Sequence, residues 1–274
     1  VSLIVLAITV RSFVLIPQRK WPKILKTRLK RGGLPQVFVY DCGASRSEAL
    51  AGGVGRGAIS SNSQRDRGAK PMKLYDGGRA PNPRRVRVFL AEKGIAVPTE
   101  QVDLGGLQQK TDAYTAVNPM QRVPALVLDD GTVIAESIAI CRYFEALHPN
   151  PPLFGVGALE SALVEMWNRR VELHLLLPVS FVFRHLHPAM AQMEVPQVSD
   201  WGEANKPRVL AFLQFLDSEL KSRGYVAGPN YSVADITAMI AVDFMRVTKL
   251  AIPETLTNLK RWHAQVTARP SAAA

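Results

Sequence analysis

Glu136 and Ser137 stand where an apolar run gives way to a helical pattern, and together they can hold a zwitterion. A serine at a helix N-terminus offers its hydroxyl and free backbone amides to a carboxylate, aided by the helix dipole, while the neighbouring glutamate can take an ammonium. Taken alone the pair reads as an ordinary helix N-cap. Upstream, Val123-Pro124 opens a strand-like run, where Pro124 alone would be a strand-start proline. A third stretch, Gly78 to Gly94, sets Pro81, Asn82 and Pro83 at the mouth of a helix without a Ser, Cys or Tyr. What remains there is an uncharged amide and the helix-end N–H groups, donors that can stabilise an anion without a strong base.

Those residues need elements to position them. Lys73 to Tyr75 patterns as a strand, Arg84 to Lys93 as a helix closed by Gly94, and Glu100 to Leu104 as a second strand. A helix near Lys110 to Ala116 follows. Pro124 to Leu128 and Thr132 to Ile134 flank an Asp129-Asp130-Gly131 turn, a hairpin signal, and Ser137 to Leu147 closes the unit as a helix. The order βαβ-α-ββα predicts one small mixed-sheet α/β domain over 72–148. The proline-rich linker 149–154 leads to 155–274, where Ala158 to Leu186, Gly202 to Ser222, Ser232 to Lys249 and Leu256 to Ala268 all carry helical period, an all-α bundle. Ser232 and Asp235 have the spacing of a capping box, a structural role.

The chain of 274 residues carries a formal net charge of +11. Nearly all the excess lies in residues 1–71, so the folded body is close to neutral and a nucleic-acid partner is not indicated. Val1 to Pro17 is apolar but broken by Arg11, with its basic cluster behind rather than ahead, the wrong order for a secretory signal. Residues 43–71 lack helical or strand period and read as disordered. The expectation is that 1–71 is a leader or a start assigned too far upstream; a membrane tether is the alternative, with its basic side cytoplasmic. Cys42 and Cys141 form neither a disulfide framework nor a zinc spacing, which fits a reducing compartment such as the cytoplasm.

The combination of Arg122-Val123-Pro124-Ala125-Leu126, Glu136-Ser137, the Ser232 to Asp235 box and the Gly78 to Gly94 helix resembles the glutathione transferases. The resemblance spans 72–274 and implies an α/β thioredoxin-like N-terminal domain followed by an all-α helical bundle domain, acting on glutathione and a small hydrophobic electrophile as a cytoplasmic homodimer in detoxification, with no cofactor or metal. It implies a cis Val123-Pro124 bond turning the Val123 backbone toward the ligand's cysteinyl unit, and it assigns Arg122, Val123, Pro124, Glu136 and Ser137 to glutathione.

The family activates the glutathione thiol with a Ser or Tyr hydroxyl or substitutes a Cys, because only a few per cent of a free thiol is ionised at neutral pH. Here that position falls within Ala80, Pro81, Asn82 and Pro83, unlike the maleylacetoacetate isomerase-like members. Two less common groups are closer. Bacterial nu-type members share the step matched by Pro81-Asn82, which points to Asn82 as donor. A fungal subclass lacking the hydroxyl or thiol holds a water against the sulfur and matches at Pro178-Val179-Ser180. That places Ser180 in a relay whose histidine partner, falling on Arg184 in register, passes to His185 or His187. Arg85 and Arg87 read as exposed helix residues that could also meet the anionic ligand, Cys141 as core, and Trp167, Asn168, Arg169 and Arg170 as lining the electrophile site or a dimer seam. Two alternatives stand beside a transferase: glutathione-dependent disulfide reduction, favoured by the nu-like Asn82, and a silent glutathione-binding module, which Ala80 keeps open.

Overall fold

The computed structural model describes residues 71–274. The expectations for the leader lie outside the described residues. Helix α1 (Pro81–Lys93) starts three residues before the expected Arg84. Pro81 and Pro83 supply helical φ, and in a first turn the N–H each lacks would find no helical partner anyway. Gly94, at φ 65°, ends the helix by donating its N–H to the Leu90 and Ala91 carbonyls.

Strand β1 (Lys73–Asp76) lies centrally, with β2 (Thr99–Gln101) parallel on one side and β3 (Ala125–Val127) antiparallel on the other. β4 (Val133–Ala135) pairs antiparallel with β3 through the expected Asp129 to Gly131 turn, giving the order β2-β1-β3-β4. β2 is shorter than expected. After Val102 gives its N–H to the Asp76 carbonyl at 2.7 Å, Asp103 accepts the Gly106 N–H at 3.0 Å and turns the chain off the sheet. A short α2 (Asp112–Thr115), capped by the Thr111 hydroxyl, precedes β3, and α3 (Ser137–Leu147) packs beside α1.

The expected long helix beyond the linker is α4 (Gly157–Val171), a π turn (Glu172–Leu176) and α5 (Leu177–Leu186). Pro178 explains the interruption: it lacks an N–H and its ring opposes the carbonyl four residues back, so the ladder widens to a π turn there. In α6 (Ser199–Leu220), Gly202 leaves room for α5, since a Cβ would sit 2.6 Å from Leu186 Cγ. α7 (Val233–Phe244) is buried over almost its whole length and ends five residues before the expected Lys249, passing into a 3₁₀ turn (Met245–Thr248). α8 (Thr257–Thr267) packs Trp262 inward.

Asp235 ties this domain together. Besides completing the capping box with Ser232, its carboxylate accepts from Val226 N–H at 2.8 Å and Trp262 Nε1 at 2.9 Å. The core runs without a break from Leu74, Val86 and Phe89 through Ile236, Ile240 and Trp262. Ion pairs stitch α1 to the helical domain: Arg84 to Asp243 at 2.7 Å, Arg85 to Glu172 at 2.9 Å, and Glu92 to Arg269 at 2.7 Å. Among the described residues no helix is long and apolar enough to cross a membrane.

Candidate functional site

Strand register gathers the sequence-selected residues. Tyr75 pairs with Ala125 and Ala125 with Ala135, so the end of β1, the start of β3 and the end of β4 lie in one row. One step beyond that row stand the Asp76 to Gly78 turn, Val123-Pro124 and Glu136. Adjacent strands are about 4.8 Å apart, so the row is about 10 Å wide, the length of an extended tripeptide.

At one edge is the mouth of α1. Asp76 is fully buried, accepts the Gly78 N–H at 2.8 Å and takes Arg87 Nη1 at 2.6 and 2.7 Å on its two oxygens, while Arg87 Nη2 reaches the Gly78 carbonyl. Arg87 therefore braces the turn. Ala80 is the N-cap and makes no side-chain bond. Because Pro81 and Pro83 have no N–H and Arg84 N–H bonds the Ala80 carbonyl at 3.2 Å, the Asn82 N–H is the one donor of the first turn left unbonded among the described residues. The Asn82 side chain is exposed beside it and accepts from Arg85 Nη2 at 3.3 Å.

In the middle, Val123-Pro124 is cis, as the resemblance implied. The preceding Arg122 carbonyl is fixed by the Tyr114 hydroxyl at 2.7 Å and Asn118 Nδ2 at 2.8 Å. Among the described residues neither backbone group of Val123 is bonded, which leaves an N–H and a C=O for an extended ligand. Partial desolvation and then the charge of Arg184 lower the pKa of the Arg122 guanidinium.

At the other edge Glu136 has φ 71° and ψ 120°, a backbone conformation that costs a non-glycine residue about 1–3 kcal/mol. That strain swings its carboxylate into the open while its carbonyl starts α3 by accepting Ile140 N–H at 3.0 Å. Ser137 is 5% exposed, and its hydroxyl has no partner among the described residues. Such an unpaired hydroxyl at a helix N-terminus, next to an exposed carboxylate, suits a ligand head carrying both charges.

Ser180 and His185 are placed differently. The Ser180 hydroxyl donates to the Leu176 carbonyl on its own helix at 2.7 Å. His185 Nδ1 accepts the Val198 N–H at 3.1 Å, at the start of α6, and His187 Nδ1 takes Ala189 N–H at 3.2 Å. Arg184 is paired with Glu194 at 2.5 Å. All four polar groups hold local structure.

Arg85 and Arg87, read from the sequence as exposed, are placed otherwise: Arg87 is half-buried against Asp76, and Arg85 lies deeper. It is completely buried, not exposed. Its spacing carried the signal: three and four residues before buried Val88 and Phe89, it shares their face of the helix. Trp167 and Asn168 are buried as well. Trp167 stacks on Phe215 at 5.8 Å with Arg170 and Arg223 each 4.9 Å from its ring, and Asn168 accepts from the Thr237 hydroxyl at 2.7 Å. Burial pushes the Cys141 thiol up to about 12, which leaves it a core residue.

A mixed four-stranded sheet with a cis-proline loop, docked on an all-α bundle, defines a two-domain thioredoxin-like architecture. Residues 80–147 match the family model for the glutathione S-transferase N-terminal domain, and 181–270 match that for the C-terminal domain. Glutathione S-transferase 2 of Saccharomyces cerevisiae is 38% identical over 203 residues, which cover 73% of this chain and 87% of that protein. The crystal structure of Gtt2 from Saccharomyces cerevisiae superposes with a TM-score of 0.71 at 38% identity, covering 73% of this chain and 98% of that one. A glutathione S-transferase domain-containing protein from Marinobacter aquaeolei gives the same TM-score of 0.71, identity of 38% and coverage of 73% and 98%. The chain belongs to the glutathione S-transferase family.

Proposed function

We propose that this protein is a glutathione transferase that ionises bound glutathione with donors at the mouth of α1. The γ-glutamyl carboxylate sits on the Ser137 hydroxyl and the first amides of α3, its ammonium on Glu136, and the cysteinyl backbone on Val123. The thiol then points toward Asn82. The observation that carries this reading is the Asn82 N–H, unbonded among the described residues at a helix N-terminus and beside its own side-chain amide, at one edge of a row about the width of a tripeptide. Two donors and the helix dipole stabilise a thiolate without accepting its proton, so a carboxamide can replace the family's hydroxyl. The thiolate attacks an apolar electrophile held against the helical domain. Arg122 carries positive charge beside the cysteinyl site and suits the glycyl carboxylate.

The Ser180 hydroxyl proton is committed to Leu176, which favours the α1 donors over a serine-held water as the means of activation. Thiolate absorbance of bound glutathione, titrated with pH in the native protein and in Asn82→Ala, tests the reading. The expected result is a native thiol pKa well below that of free glutathione, rising in the variant. Binding with an unchanged thiol pKa would leave a glutathione-binding module without transferase chemistry.

A further inference from the structure

Arg85 is a guanidinium with no access to solvent, set between α1 and the helical domain. Nη1 donates to Glu172 Oε1 at 2.9 Å, Nη2 to Asn82 Oδ1 at 3.3 Å, and Nε has no partner among the described residues. Burying a charge whose N–H donors are incompletely satisfied opposes folding, and a methionine or leucine would fill the same space without that cost. The arrangement therefore invites a reason beyond packing.

Asn82 supplies one. A carboxamide can face its neighbour with either end, but a guanidinium has only donors, so it admits only the oxygen. With its oxygen engaged by Arg85, the carboxamide of the exposed Asn82 has its NH₂ end on the side away from the guanidinium. Glu172, the first residue of the π turn, holds Arg85 from across the domain boundary and shares its other oxygen with Arg169 at 3.0 Å. Two guanidiniums against one carboxylate leave an excess positive charge behind the first turn of α1, which favours an anion there.

We propose that Arg85 is a positioning residue for glutathione activation: braced by Glu172, it locks the Asn82 carboxamide with its donor end toward the thiol. This rests on the reading of Asn82 as thiolate donor. The π turn acquires a purpose on this account, because it sets the carboxylate that anchors Arg85.

The test uses the full chain with glutathione, reading thiolate absorbance against pH and binding by calorimetry. Arg85→Met is expected to raise the bound thiol pKa about as far as Asn82→Ala, with the double variant no further displaced, since coupled residues are not additive. Glutathione affinity should stay within about threefold, because the head and backbone are held at other residues. Arg85→Lys, which keeps charge but loses the planar fork, should recover only part of the shift, and Glu172→Gln should fall between native and Arg85→Met. A folded Arg85→Met protein with native thiol pKa, or additive shifts in the double variant, overturns the proposal. If Arg85→Met does not fold, native pKa values in both Arg85→Lys and Glu172→Gln overturn it equally. A shift in Asn82→Ala without one in the Arg85 variants sinks the positioning role alone, whereas no shift in Asn82→Ala sinks the donor reading and this inference with it.

Discussion

The Tyr114 hydroxyl donates a 2.7 Å hydrogen bond to the Arg122 carbonyl, one peptide ahead of the cis Val123-Pro124 bond. Burial, and then the nearby Tyr75, push the Tyr114 phenol up to about 12, so it is a firm donor at physiological pH. Asn118 approaches the same carbonyl at 2.8 Å, and together they fix the loop from which Val123 offers its backbone.

Tyr114→Phe removes one of these two donors while keeping the ring. A neutral hydrogen bond contributes about 1 kcal/mol, so glutathione should bind roughly three- to tenfold more weakly, with a similar loss of stability. Since Val123 holds ground state and transition state alike, KM should rise while kcat moves little. Calorimetric titration decides it, and an unchanged affinity would mean that Asn118 alone suffices.

The same loop is sensitive from the other side. A Cβ on Gly77 would lie 2.6 Å from Val123 Cγ2 and 2.9 Å from Leu104 Cδ1. Gly77→Ala must therefore push Val123 outward, at a cost typical of overpacking, about 1–3 kcal/mol. Both the melting temperature and glutathione affinity should fall, whereas native values for both would show that Leu104 and Val123 yield without moving the backbone.

How much of this was legible beforehand depends on where the signal resides. Strand alternation, the Asp129 to Gly131 turn and the Gly94 cap are local, and they placed β1, the hairpin and the end of α1 correctly. The start of α1 was missed because Pro81 and Pro83 look like breakers unless they are counted as first-turn residues. The π turn follows from Pro178, but the sequence does not say whether a helix meets a proline by kinking, ending or widening. Glu136 and Ser137 stood out as a pair, yet their partnership with Val123 across the sheet depends on register, a non-local property. Arg85 illustrates the same limit: its face was readable, but its partners Glu172 and Asn82 come together only when two domains dock.

Ser180 discriminates between two activation schemes. Its proton goes to the Leu176 carbonyl at 2.7 Å, so Ser180→Ala should leave the bound thiol pKa unchanged and stability nearly so, because a helix serine bonding back to its own turn adds little. His185→Ala, by contrast, removes the acceptor for Val198 N–H at the start of α6 and should cost about 1 kcal/mol. A raised thiol pKa in Ser180→Ala would restore the water relay suggested by the Pro178-Val179-Ser180 step.

Asp235 makes stability depend on pH in an unusual direction. Burial pushes its carboxyl up to about 6, against the hydrogen bonds from Val226, Trp262 and Ser232 that favour the anion. Because the folded pKa lies above the unfolded one, the native state holds a proton that the unfolded chain has already released between about pH 4 and 6. The stabilisation from this group is thus complete below the unfolded pKa and is lost as pH rises through about 6. Between pH 5 and 7.5 the loss should be about 1 kcal/mol. Asp235→Asn cannot titrate and turns an NH₂ toward the donors that ring this site, so it should be destabilised throughout, by about 3 kcal/mol or more. Its deficit relative to the native protein should be larger at pH 5 than at pH 7.5. Urea unfolding of both proteins at the two values measures this, and a deficit that grows with pH instead would mean that the hydrogen bonds outweigh burial and hold the carboxyl below its ordinary range.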